Sequence, residues 1–366
     1  MKFSVLQQDL LPHLQAVSRS VGVRSQLPVL DNVLLSLQGK LLKIAATNLE
    51  VGVIKYIEVT EDTSGEITVP AKTLVELISG MGPRTVTLES EGDVLSIQSG
   101  KFKATINGIA PVEFPAIPQS TEKGVAFPKE AIMGASAILF AAAVDEGRPV
   151  LTGILTEAKA GQLDFVATDG FRLAHRVIKL AKGQPEFKSL IPRRTFEELL
   201  KIIGEEEVEE ISVSTSPNQN QVVFSLGKTV VSSRLIEGQF PAWEKIIPTQ
   251  IIAKALVEKE MVLKAIKLAA VFSRDGANIV VLSLKKGVLK FESHAKELGS
   301  QENEIEGEIE GEELQIAFNT KFLLDAVSSS PSMQIMIEFS GPFSACSIKP
   351  VGVEGLEYIV MPVRLS

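Results

Sequence analysis

One nine-residue text occurs three times in this chain of 366 residues. It begins Val69-Pro70-Ala71-Lys72-Thr73-Leu74, returns as Ile191-Pro192-Arg193-Arg194-Thr195-Phe196, and returns again as Phe318-Asn319-Thr320-Lys321-Phe322-Leu323. Positions 70, 192 and 319 lie 122 and 127 residues apart, so three units of that length account for the whole chain. A repeat this long is a domain rather than a solenoid turn. Three like domains in one chain suggest an arc or ring built by rotation, not a single catalytic pocket.

Other anchors recur in the same order. Pro28-Val29-Leu30 returns as Pro149-Val150-Leu151, and Ala46-Thr47-Asn48 as Ala167-Thr168-Asp169, both 121 positions later. Phe114-Pro115-Ala116 matches Phe240-Pro241-Ala242, and Met361-Pro362 fills the corresponding place at the end of the third unit. The expected domains are residues 1–122, 123–248 and 249–366, with linkers near residues 119–124 and 248–254, where proline and polar residues interrupt the periodicity.

Within the first unit the pattern is itself doubled. Residues 2–5 read as a strand and residues 8–19 as a helix with Leu10, Leu14 and Val17 on one face. Strand-like runs follow at 32–37, 41–47 and 51–60. The order then restarts with a strand at 66–69, a proline in a tolerated first-turn position at Pro70, a helix bearing Leu74, Leu77 and Ile78, and strands at 85–89, 94–98 and 101–107. Each unit is therefore expected to be two βαβββ halves, an α+β fold with paired helices inside and sheets outside. The middle unit is expected to open with an alanine-rich helix over residues 131–143.

Composition excludes several classes. No apolar run approaches the roughly 20 residues of a membrane span, and Met1-Lys2-Phe3 leads straight into a strand rather than a signal leader, so a cytoplasmic protein without a membrane partner is expected. A single cysteine, Cys346, rules out an internal disulfide framework. His13, His175 and His294 are scattered, so no metal site is expected, and no cofactor either. The net charge of −8 argues against a uniformly basic surface but leaves room for a local basic face.

The chain resembles, over its full length, the bacterial DNA polymerase III beta subunit family of processivity sliding clamps. The resemblance is carried by the opening Met1-Lys2-Phe3, by Ala167-Thr168-Asp169-Gly170-Phe171-Arg172-Leu173-Ala174, and by the closing Tyr358-Ile359-Val360-Met361-Pro362-Val363-Arg364-Leu365. It implies three repeated clamp domains and a head-to-tail homodimer closing into a ring that encircles duplex DNA, with helices lining the hole. It implies no catalytic activity. The implied partners are the catalytic subunit of DNA polymerase III, the clamp loader, and other polymerases and repair factors that bind through short hydrophobic peptides.

A sliding tether needs modest positive charge toward phosphates, which contribute affinity without reading bases. The repeated motif supplies Lys72, Arg194 with Arg193, and Lys321; the loops after the first helices supply Arg24, Arg148 and Arg274; the first helix of unit three adds Lys264 and Lys267. An ordinary charged surface explains any one of these, but a cation in a helix's first turn opposes the helix dipole. Its repetition at the same place favours DNA.

For self-association, residues 297–313 hold eight Glu and no Lys or Arg. Glu302, Glu304 and Glu306 alternate along what reads as one acidic strand running to Glu310, while Lys101 and Lys103 place the opposite charge on a strand of unit one. Complementary charges select a partner edge, although plain solubility would also account for the acidic run. The resemblance adds that Val271 and Phe272 pack across the joint near Ala104 and Ile106, where Ala104 is smaller than the family's usual residue.

Asp169-Gly170 alone reads as a turn. The resemblance makes it one lip of a partner-peptide cleft formed by Leu151, Thr168, Gly170, Phe171, Arg172, Leu173, Pro241, Lys245, Ile246, Val360, Met361, Pro362, Val363 and Arg364. Phe171 and Lys245 depart from the histidine and arginine common in the family. An apolar chain end such as Tyr358-Ile359-Val360-Met361-Pro362-Val363 is costly unless it packs or binds something. The rival classes are an enzyme, for which no phosphate loop or paired nucleophile and base is present, and a β-rich repeat scaffold that does not touch DNA.

Overall fold

The computed structural model describes residues 1–22, 27–119, 124–145, 147–181, 186–216, 220–273 and 278–364. Arg24, Arg274 and most of the first expected linker lie outside them. The chain forms two compact units. One comprises Met1–Met133 with Arg194–Leu235, the other Gly134–Arg193 with Ile236–Ser366. The division runs through the middle repeat, so each unit holds one terminal repeat and part of the central one.

The first unit contains two antiparallel sheets. One has five strands in the order Thr60–Thr63, Lys2–Leu6, Thr85–Glu91, Val94–Ser99 and Phe102–Asn107. The other has eight: Val125–Pro128, Glu210–Thr215, Gln221–Leu226 and Thr229–Arg234 from the central repeat, joined through Val51–Glu58 to Leu41–Thr47, Asn32–Gln38 and Gly65–Pro70. Helix α1 (Gln7–Ser18) buries Leu10, Leu14 and Val17 completely, and it packs on α2 (Ala71–Gly80), which buries Ala71, Leu74 and Ile78. Pro70 is the cap residue of α2, one place before the expected first turn.

The second unit repeats this plan. Its nine-stranded sheet joins Phe187–Pro192, Gly153–Lys159, Gln162–Thr168 and Arg172–Lys179 to Leu356–Val360, Cys346–Pro350, Gln334–Phe339, Ala253–Glu258 and Glu308–Gly311. Its four-stranded sheet runs Gly299–Glu306, Val288–Ala295, Ile279–Lys285, Leu314–Asn319.

Two expectations are corrected. The alanine-rich helix over 131–143 is α-helical only as α3 (Lys129–Met133), then tightens into short 3-10 turns at Gly134–Ala137 and Leu139–Ala141. The buried side chains Ile132, Ala135, Ile138 and Ala141 recur every third residue, which matches three residues per turn. Gly134 also sits where a Cβ would clash with Ile178 Cδ1.

The acidic run is two strands, Gly299–Glu306 and Glu308–Gly311, in different sheets. The chain changes sheet at Gly307, where a Cβ would lie 2.6 Å from Val257 Cγ1 and 2.9 Å from the Leu256 carbonyl, an approach only glycine permits. The motif helices of the central and third repeats are α4 (Arg193–Glu205) and, following α5 (Lys259–Ser273), α6 (Thr320–Ser329), which packs on α5. Asn319 caps α6 by accepting from the amides of Lys321 and Phe322.

Candidate functional site

The turn at Asp169-Gly170 is built by its own side chains. Asp169 Oδ1 accepts the amides of Phe171 (2.9 Å) and Arg172 (3.0 Å), while the Thr168 hydroxyl donates to the Arg172 carbonyl (2.6 Å) and accepts from the Gly170 amide (3.0 Å). Gly170 has φ +91°, and a Cβ there would lie 2.8 Å from Arg148 Nη1. Arg148 Nη2 donates to the Asp169 carbonyl at 2.7 Å. Arg148, expected among the DNA-facing cations, is exposed and also braces this turn.

Arg172 is only 8% exposed, so its charge needs partners within the protein. Its Nε donates to Asp169 Oδ2 at 2.9 Å and its Nη1 to Asp325 Oδ2, on α6, at 2.6 Å. The guanidinium carbon lies 5.4 Å from the Phe140 ring centre and 4.9 Å from that of Phe322. Phe171, 56% exposed, stacks on Phe322 at 5.9 Å with an 18° interplanar angle. The buried arginine therefore fixes the turn to α6, and Phe171 is left as an exposed aromatic surface.

Strand register sorts the remaining cleft residues onto two faces. Leu173 pairs with Ile359 and Arg172 with Val360. Leu173 and Ile359 share a cluster with Leu155, Val166, Leu190 and Ala345, covered by the half-buried Val150, Ile236, Phe240, Trp243, Ile246 and Ile247. Val360 is fully buried on the opposite face, with Arg172. Expected as a cleft wall, it is core, because neighbouring strand residues point to opposite sides. Leu151, Thr168 and Leu173 are also at most 5% exposed and underlie the site. Exposed or half-buried are Phe171, Pro241, Lys245, Ile246, Met361, Pro362, Val363 and Arg364.

Residues 361–363 are held by main-chain contacts. Met361 N donates to the Phe171 carbonyl (2.9 Å), Val363 N to the Ala317 carbonyl (2.8 Å), and Pro362 bridges to Phe318. Ile359, Phe240, Trp243, Ile247 and Ala345 were absent from the expected set. The repeated Phe-Pro-Ala anchor at Phe114 and Phe240 could have pointed to one of them. The cluster also ends near an exposed aromatic, Phe343, 69% exposed two residues before Ala345.

Among the cations, Lys72 and Arg194 are exposed in the first unit, Arg194 lying 3.8 Å from Glu50. Lys264, Lys267 and Lys321 are exposed on α5 and α6 of the second. Arg193 is half-buried and engaged by a neighbour. At the expected joint, Phe102–Asn107 is the last strand of its sheet, with Lys101 and Lys103 exposed, Ala104 half-buried and Phe102 43% exposed. Ile106 is 6% exposed, so its side chain belongs to the protomer's own core. Gly299–Glu306 is likewise a sheet edge, with Glu302, Glu304 and Glu306 exposed, and Lys290 holds Glu302 at 2.8 Å. Val271 is 50% exposed and Phe272 half-buried at the end of α5.

The sequence matches the N-terminal, central and C-terminal domains of the DNA polymerase III beta subunit over residues 1–118, 129–242 and 244–364. It is 32% identical to the beta sliding clamp of Synechocystis sp. and 30% identical to that of Haemophilus influenzae, each over 100% of both chains. The fold is similar to the crystal structures of the DNA polymerase III beta subunit from Pseudomonas aeruginosa (27% identity, TM-score 0.93) and the sliding clamp from Bacillus subtilis (27%, 0.94), again over 100% of both chains. Neither an enzyme nor a scaffold unrelated to DNA is consistent with this match, and the chain belongs to the DNA polymerase III beta subunit family, the non-catalytic sliding clamps of replication.

Proposed function

We propose that two copies of this chain close head to tail into a ring around duplex DNA and tether the replicative polymerase for processive synthesis. Lys72, Arg148, Arg193, Arg194, Lys264, Lys267 and Lys321, with Arg24 and Arg274 beyond the described residues, face the phosphates in this reading. Its main support is placement: the motif cation begins α2, α4 and α6 alike, and Lys72, Arg194 and Lys321 are all exposed. Contacts of this kind are weak, salt-sensitive and blind to sequence.

Three clamp domains at about residues 1–122, 123–248 and 249–366, and action in the cytoplasm, belong to the same reading. The ring closes where the Phe102–Asn107 edge of one copy meets the Gly299–Glu306 edge of the other, Lys101 and Lys103 opposing Glu304 and Glu306, and Phe272 and Val271 covering Ala104. The exposed surface at Phe171, Pro241, Ile246 and Met361 takes short hydrophobic peptides from the polymerase catalytic subunit, the clamp loader and repair factors. Lys245 and Arg364 at its rim meet peptide carboxylates or carbonyls.

Retention on DNA tests the topological claim. Loaded protein is expected to persist on nicked circles and to leave after linearisation. Equal retention on both forms overturns it.

A further inference from the structure

The cleft has a counterpart in the first unit whose framework is the same and whose chemistry is inverted. The turn at Asn48 repeats the turn at Asp169 bond for bond. Asn48 Oδ1 accepts the amides of Glu50 (3.0 Å) and Val51 (2.8 Å), and the Thr47 hydroxyl donates to the Val51 carbonyl (3.0 Å) and accepts from the Leu49 amide (3.0 Å). Leu49 takes the positive φ (+74°) that Gly170 takes in the cleft. Arg234 N donates to the Glu50 carbonyl at 2.9 Å, as Met361 N does to Phe171. Register completes the match: Gly52 pairs with Ser232 as Leu173 pairs with Ile359, and Val222 pairs with Ser233 as Cys346 pairs with Val360.

Reading across, Phe171 becomes Glu50, Leu173 becomes Gly52, Ile359 becomes Ser232, Met361 becomes Arg234 and Ala345 becomes Gln221. A groove of about 430 Å3 lies at these residues. Ser232 is 3% exposed, lines the groove, and its hydroxyl has no partner among the described residues. The Arg234 side chain is exposed and likewise unpaired among them. Glu50, on the far lip, has Arg194 at 3.8 Å to balance its charge.

We propose that this groove is a second docking site, for an extended polar segment of a partner protein that carries an Asp or Glu. The segment's carboxylate pairs with the Arg234 guanidinium, and its backbone and hydroxyls are met by Ser232, Gln221 and Asn220. Leu49, Pro115, Ala116 and Pro118 also line the groove, but the positions that carry Phe171, Leu173, Ile359 and Met361 in the cleft are here Glu50, Gly52, Ser232 and Arg234, so a polar, acidic segment is favoured over a hydrophobic peptide. The site goes beyond the cleft reading and stands or falls separately from it.

Ile117 supplies a reporter, since its Cγ2 would lie 2.7 Å from a Cβ on Gly52 and so reaches the groove floor. The full-length protein, methyl-labelled at isoleucine, is titrated with the peptide acetyl-Ser-Asp-Ser-Glu-Ser-amide. The expected result is a saturable shift of Ile117, at least fivefold weaker for the Asn/Gln version of the peptide and for Arg234→Gln, with the Ile246 methyl in the cleft unmoved. Arg234 is exposed, so the variant folds, and an unchanged thermal transition verifies it. No shift at Ile117, or an equal shift in Arg234→Gln, overturns the proposal. So does a shift produced by a short DNA duplex and not by the peptide, which would assign Arg234 to phosphate.

Discussion

Replacing Asp325 with alanine removes one of the two carboxylates that neutralise a buried arginine. Breaking a buried ion pair from one side typically costs about 3–5 kcal/mol, because the remaining charge is left without compensation. Two features of the site reduce that figure. The Asp325 side chain is 32% exposed, so water replaces part of its contribution, and Asp169 stays 2.9 Å from Arg172 Nε. A cost of roughly 1.5 kcal/mol follows from halving the lower end for partial exposure and a retained partner. For a unit of this size, each kcal/mol shifts the midpoint by about 2–4 °C, so a fall of roughly 5 °C is expected.

The loss also has a local signature. Arg172 fixes the turn that presents Phe171 and accepts Met361, so hydrophobic-peptide affinity is expected to fall as well. Arg172→Met fills the slot between Phe140 and Phe322 with an apolar chain of similar length. In that background Asp325→Ala is expected to cost well under 1 kcal/mol, since no buried cation remains to be stranded. Scanning calorimetry and fluorescence anisotropy with a labelled polymerase-tail peptide read both effects. An Asp325→Ala protein with unchanged midpoint and affinity, or a strictly additive double variant, refutes the argument.

Phe272→Asp places a charge at the proposed joint and is expected to yield monomers by light scattering under conditions where the parent is dimeric. Met361→Asp puts a carboxylate in the apolar surface beside Phe171, at a cost of roughly 2 kcal/mol or more to peptide binding; calorimetric titration with the same peptide checks it, with an unchanged thermal midpoint as the folding control. Acid is expected to destabilise the first unit in two steps. Burial pushes the His13 imidazole below its ordinary value of 6.5, so its contribution is complete above that pH and lost as pH falls through the lower folded value. Burial alone would raise the Glu206 carboxyl, but hydrogen bonds from Lys55 (2.7 Å) and Thr229 (2.6 Å) bring it below 4.5, so its contribution is lost at lower pH still. Melting curves of His13→Gln are expected to flatten the first decline and those of Glu206→Gln the second.

The threefold repeat and the positions of α1, α2, α5 and α6 were legible in the amino-acid sequence, whereas the run at 51–60 is two strands, Val51–Glu58 and Thr60–Thr63, in different sheets. Each of those elements buries one face with a regular period, as Leu10, Leu14 and Val17 do in α1, and period survives without knowledge of the partner. The turn at Asp169 was legible too, since Asp-Gly carries its own geometry. The failures share one cause. Residues 131–143 have strong helix formers, yet spacing of buried side chains by three is decided by what they pack on. The acidic run has an unbroken alternation, yet Gly307 moves it between sheets because of Val257, distant in sequence.

The faces of the cleft were decided the same way. Val360 and Ile359 are equally apolar and equally buried neighbours, and only pairing with Arg172 and Leu173 determines which one lies on the face of Arg172 and which joins the cluster beneath Trp243. Arg148 is one more exposed cation in sequence, and it acquires its position from the Asp169 carbonyl. Local periodicity is a property of consecutive residues, so sequence alone determined the elements and their repetition. Which face meets which neighbour depends on residues brought together from far along the chain, as Gly307 is to Val257 and Arg172 to Val360, and only the tertiary structure supplied that.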